Sequence, residues 1–356
     1  MKLKNKLFLA LAPIPSLAPI AFAASCNIHE TIEGDTYVKF RSHTQTELII
    51  PDYVTKIKFS AFHLKKKLAK ITAKNVTELD PETFHKSLGS SYSDINLGLQ
   101  ELRFDSLGQI EPKTLKDLIN LTTFYAPSVT KVGEEAFAQA KSLSNLTLGQ
   151  ISEVGKAAFK GTSDLTQAPS FAPSLTHLPD EIFRASGIKS FSSANITSIG
   201  ELAFRDSAIE SIDLPNVTSF GKRAFANAQF LKNPKPTNFN ININAEFDEE
   251  VFGTSTKNIH PSWFDEQGLF IINGHLFMVD AARLGEKTEL ELPESVKVIE
   301  PYAFKNGASA KLTTIRSNSV LTVKAKAFNN NKTITTVEFP NAQIEPDAYK
   351  GSSITE

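Results

Sequence analysis

The sequence predicts an α+β repeat solenoid: coils of about 22 residues, each a short strand plus a helical or 3₁₀ turn, in two arrays joined by a β-hairpin. Three observations carry this. A nine-residue phrase, VTSFGKRAF ending at Phe225, recurs as ITSIGELAF at Phe204, VTKVGEEAF at Phe137 and ISEVGKAAF at Phe159. Looser copies end at Phe62, Phe84, Leu115, Phe183, Phe252, Phe304, Phe328 and Tyr349, so successive anchors lie 22, 31, 22, 22, 24, 21, 21, 27, 52, 24 and 21 residues apart. A unit of that length cannot bury its own apolar face and must stack on neighbours. The 52-residue gap holds LFIINGHLFMV, two apolar runs around Asn273-Gly274, which is a hairpin signal.

Taken in order, the chain opens on Lys2, Lys4 and Lys6, an apolar stretch from Leu7 to Ala24, and small residues leading to Cys26. This is the layout of an export signal over residues 1–25. Pro13, Pro15 and Pro19 interrupt the stretch, and no positive flank follows it, which disfavours a membrane-spanning anchor. Cys26 is the only cysteine, so disulfides, zinc-thiolate sites and a cysteine nucleophile are excluded in the mature chain. The segment around Cys26 resembles the lipobox of bacterial lipoproteins, in its looser mycoplasma form, although Ala23 and Ser25 depart from the usual residues. The resemblance implies a diacylglyceryl thioether on Cys26 and a lipid tether to the outer face of the cell membrane.

Residues 26–46 carry no repeat and are expected to run from the tether into a first pair of strands, GDTYVKF with ELIIP. The first array is expected over 47–257, a hairpin junction over 258–287 and a second array over 288–356. Counting back from Phe225, apolar residues stand at Phe220, Val217, Leu214, Ile212 and Ile209; Val154, Ile151, Leu148, Leu146 and Leu143 precede Phe159 in the same way, and Ile110, Leu107, Phe104, Leu102 and Leu99 precede Leu115. Inward residues at every second position, as in Ile212 and Leu214, predict a strand. The GxxAF segment predicts one helical or 3₁₀ turn, with Ala permitting close approach and Phe filling the interior.

The arrangement L-x-x-I-x-L-P-x-V-T-x-I-G-x-x-A-F resembles the BspA-like leucine-rich repeat class, the Treponema pallidum type, from about Leu48 to Tyr349. Leu115 and Tyr349 replace Phe, and the Cys common after the aromatic in that class is absent. The resemblance implies a leucine-rich-repeat solenoid and a bacterial surface protein of an adhesive kind, binding host or extracellular matrix proteins.

Charge and motifs narrow the chemistry. Without the three signal lysines the chain has 35 basic and 39 acidic residues, which is no nucleic-acid footprint. His29, His43, His63, His85, His177, His260 and His275 fall at unrelated repeat offsets and predict exposed loop residues, not a metal or acid-base set. No GxSxG, GxxxxGK or GxGxxG occurs. Asp248, Glu249 and Glu250 are expected on a solvated helix turn. The NxT triplets at Asn75, Asn195 and Asn216 follow from the V-T or I-T of the repeat. No enzyme activity, cofactor or metal is predicted, and a monomer is expected.

Residues alternating with the inward ones predict a binding face: Glu101, Arg103, Asp105, Thr123, Tyr125, Asn145, Thr147, Ser190, Ser192, Ser211, Asp213, Thr314 and Arg316. A row of short polar side chains with an occasional Tyr or Arg suits a protein partner. Lys65, Lys66, Lys67 and Lys70 form a basic run that is either a solvated face or a contact for anionic lipid or polysaccharide. Competing readings are a surface hydrolase or solute-binding lipoprotein, with a site in the Lys86–Gly98 loop or near Trp263, and an antigenic coat without a dedicated ligand.

Overall fold

The computed structural model describes residues 30–355 apart from 59–60, 63–64, 82, 85–97, 237–238, 243–244 and 306–310. Cys26 and the export signal lie outside the described residues, as does the Lys86–Gly98 loop up to Gly98. The chain winds into a β-solenoid of about 13 turns.

Each regular coil supplies two strands, not one. In the coil of Leu115 the long strand is Glu101–Phe104 and the short strand Gln109–Ile110. Period-two alternation turns Leu102 and Phe104 inward, and Leu107, Ile110 and Leu115 complete the buried interior. Long strands Glu47–Ile50, Lys70–Ala73, Glu101–Phe104, Thr123–Ala126 and Asn145–Leu148 pair in parallel as one five-stranded sheet. Short strands stack into sheets of their own on another side of the coil. Threonines of the V-T and I-T pairs close the rungs: Thr77, Thr197 and Thr218 direct Oγ1 to the carbonyls of Thr55, Thr176 and Thr197 in the preceding coil. Asn75 and Asn216 likewise donate to the carbonyls of Asp52 and Ala194, so these NxT asparagines serve coil stacking.

The anchor segment corrects the expected helical turn. An α-helix would send every amide to the carbonyl four residues back. Here alternate amides leave the coil instead: Glu135, Phe137 and Gln139 donate to the carbonyls of Lys156, Ala158 and Lys160 in the next coil at 2.9, 2.8 and 2.7 Å. Between them, Ala136, Ala138 and Ala140 bond three residues back within their own turn. The alternation requires left-handed backbone two residues before the anchor, with φ of 52° at Glu135, 54° at Ala157, 58° at Leu202 and 53° at Arg223. Non-glycine residues in that region cost about 1 kcal/mol each, which the inter-coil bonds and ring stacking offset. The α+β label therefore gives way to a β-solenoid with few helices. Among the described residues the α-helices are Gln229–Lys232 and Ala281–Leu284, and neither is an anchor turn.

The glycine of the phrase has a different role. A Cβ on Gly133 or Gly155 would lie 2.4 Å from the backbone nitrogen of Pro112 or Glu134 in the preceding coil. Close backbone approach, not a positive φ, excludes a side chain there.

Anchor rings stack along the axis. Centroids are 5.4 Å apart for Phe137–Phe159, 5.6 Å for Phe159–Phe183 and Phe183–Phe204, and 5.4 Å for Phe204–Phe225. Where Leu115 interrupts the ladder, Phe124 of the next long strand packs edge-on against Phe137 at 5.2 Å.

Two hairpins share one design. Glu30–Glu33 pairs antiparallel with Thr36–Phe40, and Thr36–Phe40 then pairs in parallel with the short strand Lys56–Ile57. The sequence reading paired GDTYVKF with ELIIP. In the structure ELII is instead the first long strand, because its alternation matches the row that follows. Around Asn273 (φ 51°) and Gly274 (φ 84°), Leu269–Ile272 pairs antiparallel with His275–Val279, which continues in parallel to Val298–Ile299. This second hairpin is two-faced: Phe270, Ile272, Phe277 and Met278 pack into the preceding core, and Leu269, Leu276 and Val279 into the following one.

Candidate binding face

The five long strands present two outward rows in register. One row runs Glu47, Lys70, Glu101, Thr123, Asn145, and its neighbour runs Ile49, Thr72, Arg103, Tyr125, Thr147. Alternation makes both rows: the same pleat that buries Leu102 and Phe124 turns Arg103 and Tyr125 out. The Arg103 guanidinium lies 4.1 Å from the centre of the Tyr125 ring, so a cation–π contact joins the pair. Lys70 Nζ meets Glu101 at 3.1 Å, and Asn145 Nδ2 donates to Thr123 Oγ1 at 3.5 Å. Ile49 stands at the end of its row 77% exposed. Sequence reasoning missed Ile49, although the alternation of ELII places it outward.

The predicted row is not one continuous face. Asp105 falls one residue beyond its strand, in a turn whose carbonyl accepts from Ser128 Oγ. In the coil after Asn145–Leu148, Pro169 and Pro173 flank Phe171, and only a single bridge to Ile151 forms; proline has no amide to give a ladder. Ser190, Ser192, Ser211 and Asp213 belong to a second sheet, where Ser192 Oγ donates to Asp213 Oδ2 at 3.2 Å. Phe230, Pro236 and Phe239 wall a groove of about 370 Å³ over these residues. Thr314 and Arg316 lie in a third sheet beyond the hairpin. Hydrogen bonds to Glu289 and Glu338, at 2.5 and 3.0 Å, raise the pKa of Arg316 further.

Other sequence readings change. Lys65 is buried with its ammonium 5.8 Å from the Phe40 ring, and burial pushes its pKa down. Lys70 is engaged by Glu101, so of the basic run only Lys66 and Lys67 stand exposed. Trp263 is a core residue, donating Nε1–H to the Asn233 carbonyl at 3.1 Å and packing on Phe239 at 5.1 Å. His43 is exposed as predicted, but His275 is not a loop residue: it sits in the second hairpin, 2.6 Å from the buried Glu300 and 5.1 Å from the Phe247 ring.

Glu249 and Glu250 overturn the solvated-turn reading most plainly. Glu249 accepts from Lys222 at 2.9 Å and from Lys326 beyond the hairpin. Glu250, with a side chain 3% exposed, pairs with Arg223 of the preceding coil and with Lys305 beyond the second hairpin, the latter at 3.6 Å. Hydrogen bonds from Lys326 and then Lys222, against opposing burial, hold the Glu249 carboxyl below its ordinary value of 4.5. At Glu135 and Glu181 burial acts upward, but Lys116 in one case and Lys160 with Arg184 in the other outweigh it, and both carboxyls end low. Lowered carboxyls contribute stability that is full above their ordinary pKa and lost as pH falls through the folded values. Acid titration of the folded chain is thus expected to lower the thermal midpoint below about pH 4.5, with a shallower fall in Glu249→Gln. An unchanged slope in that variant would refute the link.

Parallel coils sealed by a buried aromatic ladder define a leucine-rich-repeat solenoid. The chain belongs to the BspA type leucine rich repeat family, which matches in six copies over residues 30–106, 108–232 and 283–356. That match indicates no enzyme family. Its structure is similar to a leucine rich cell surface protein of Faecalibacterium prausnitzii at 18% identity and TM-score 0.42, covering 90% of this chain and 86% of that one. It is similar to a leucine-rich repeat protein of Bacteroides ovatus at 18% identity and TM-score 0.45, covering 91% and 88%. The pneumococcal vaccine antigen PcpA is similar at 15% identity and TM-score 0.41, covering 92% and 85%. A search of curated proteins finds no match.

Proposed function

We propose that this is a bacterial surface protein, tethered through lipid on Cys26, that binds a host or matrix protein through the outer face of its five-stranded sheet. The observation that carries the reading is the Arg103–Tyr125 pair beside exposed Ile49 and small Thr72 and Thr147, in register on one sheet. Arg and Tyr held rigid among short neighbours are what interface anchors look like, because they lose little freedom when a partner covers them. No helix among the described residues is long and apolar enough to cross a membrane. In this reading the tether is the lipid on Cys26, supported by the lipobox-like segment around it. The second hairpin serves in this reading as the start of a second array over 288–356, after a junction over 258–287.

The test is binding of the lipid-free chain to a panel of extracellular-matrix and serum proteins. Arg103→Ala and Tyr125→Ala are each expected to weaken the strongest interaction about tenfold or more, while Ser211→Ala leaves it unchanged. Binding indifferent to both face variants would remove this sheet from the function and favour the antigenic coat. For the tether, Cys26→Ser is expected to move the protein from the membrane fraction to the medium; retention in the membrane fraction contradicts lipidation.

A further inference from the structure

The charged side chains on the outer face of the five-stranded sheet are Glu47, Lys70, Glu101 and Arg103. Lys70 is bound by Glu101 at 3.1 Å. Among the described residues no carboxylate lies at ion-pair distance from the Arg103 guanidinium, which meets the Tyr125 ring instead. Arg316 shows the same side chain with carboxylates in reach. Both arginines stand twelve residues before the anchor of their coil, Leu115 and Phe328. The in-register neighbours of Arg316 are Glu291 and Glu338, and Glu338 together with Glu289 binds it. The in-register neighbours of Arg103 are Thr72 and Tyr125, which carry no charge to offer it. A ring contact orients a guanidinium but does not neutralise it, and the planar fork of N–H donors matches a carboxylate.

The surroundings narrow where that carboxylate comes from. Polyanions such as sulfated polysaccharides bind through several cations at once, and the other cation on this face, Lys70, is already held by Glu101. Ile49, 77% exposed, lies in the row of Arg103 two strands away, with small Thr72 between them. Two steps at the usual strand spacing of about 4.8 Å make roughly 10 Å. A segment that covers both groups therefore presents a carboxylate and an apolar side chain about that far apart on one side. An extended segment laid on this face would bury its own amides unpaired, because Lys70–Ala73 and Glu101–Phe104 already pair along both edges. A helix satisfies its own backbone, and its residues seven apart share one side at a separation of about 10.5 Å.

We propose that this face recognises a helix of the partner protein that carries a carboxylate and, seven residues away, a large aliphatic side chain. Arg103 takes the carboxylate, Ile49 takes the aliphatic group, and Thr72 lets the helix lie close between them. The proposal rests on the sheet-face reading above and names the chemistry of its partner. The probes are labelled Ala- and Gln-based helical peptides of about four turns with Glu and Leu seven residues apart. Controls carry Gln for Glu, or Leu five residues from Glu and so turned to another side. Fluorescence anisotropy with the full chain is expected to show the Glu–Leu helix binding at least tenfold tighter than either control, with no competition from heparin. Arg103→Gln is expected to lower that affinity about tenfold and to abolish the preference for Glu over Gln. Ile49→Ser is expected to weaken binding while keeping that preference, and Ser211→Ala to change neither. Equal binding of the Glu and Gln helices, an unchanged preference in Arg103→Gln, or displacement by heparin would overturn the proposal. If matrix-protein binding still depends on Arg103 and Tyr125 in that event, the sheet-face reading stands and only the helix is lost; matrix binding indifferent to both residues removes the two together.

Discussion

Phe159→Ala is expected to lower unfolding stability by about 3–5 kcal/mol, whereas Ser211→Ala changes it by less than about 0.5 kcal/mol. Phe159 is wholly buried and its ring lies between those of Phe137 and Phe183, at 5.4 and 5.6 Å. Truncation leaves a void that rigid neighbours on both sides cannot fill, and it also removes two stacked contacts. Ser211 faces water and seals nothing. Coincident denaturant midpoints for the two variants would mean that the ladder is not what holds adjacent coils together.

Removing both cations from Glu250, as Arg223→Ala with Lys305→Ala, is expected to cost about 3–5 kcal/mol, because a carboxylate with a 3% exposed side chain is left without a cation. Arg223 belongs to the coil before Glu250 and Lys305 to a coil beyond the second hairpin, so the loss falls on the packing of coils across that hairpin. Adding Glu250→Leu to the double variant should restore most of the stability, since a neutral apolar side chain needs no partner there. A double variant that melts within about 1 kcal/mol of the parent would show that the aromatic contacts of Phe247 and Phe252 with Phe277, at 4.8 and 4.9 Å, suffice.

The repeat was legible because burial writes it directly. Phe220, Val217, Leu214, Ile212 and Ile209 are all interior, as their offsets from Phe225 predict. The backbone of the anchor turn was not legible. GEEAF and GKAAF contain good helix formers, and nothing in their composition shows that alternate amides will be drawn away by a neighbouring coil. The second strand of each coil was hidden for a similar reason: two residues such as Gln109–Ile110 are too short to display a period.

The candidate face was legible in its parts and not in its continuity. Alternation places Arg103 and Tyr125 outward without ambiguity, but their contact follows from parallel register between strands 22 residues apart. The breaks beyond Leu148 depend on proline and on the hairpin, which act between coils. Glu249 and Glu250 looked solvated because their cations lie in other coils; Lys326 is 77 residues from Glu249.

The outgoing amides of the anchor turns also bear on how the molecule assembles. Each finished coil offers hydrogen-bond donors at Glu135, Phe137 and Gln139, or their equivalents, that only a later stretch of chain can satisfy. A chain that folds from its amino end thus carries at its newest turn a template for the turn still to come.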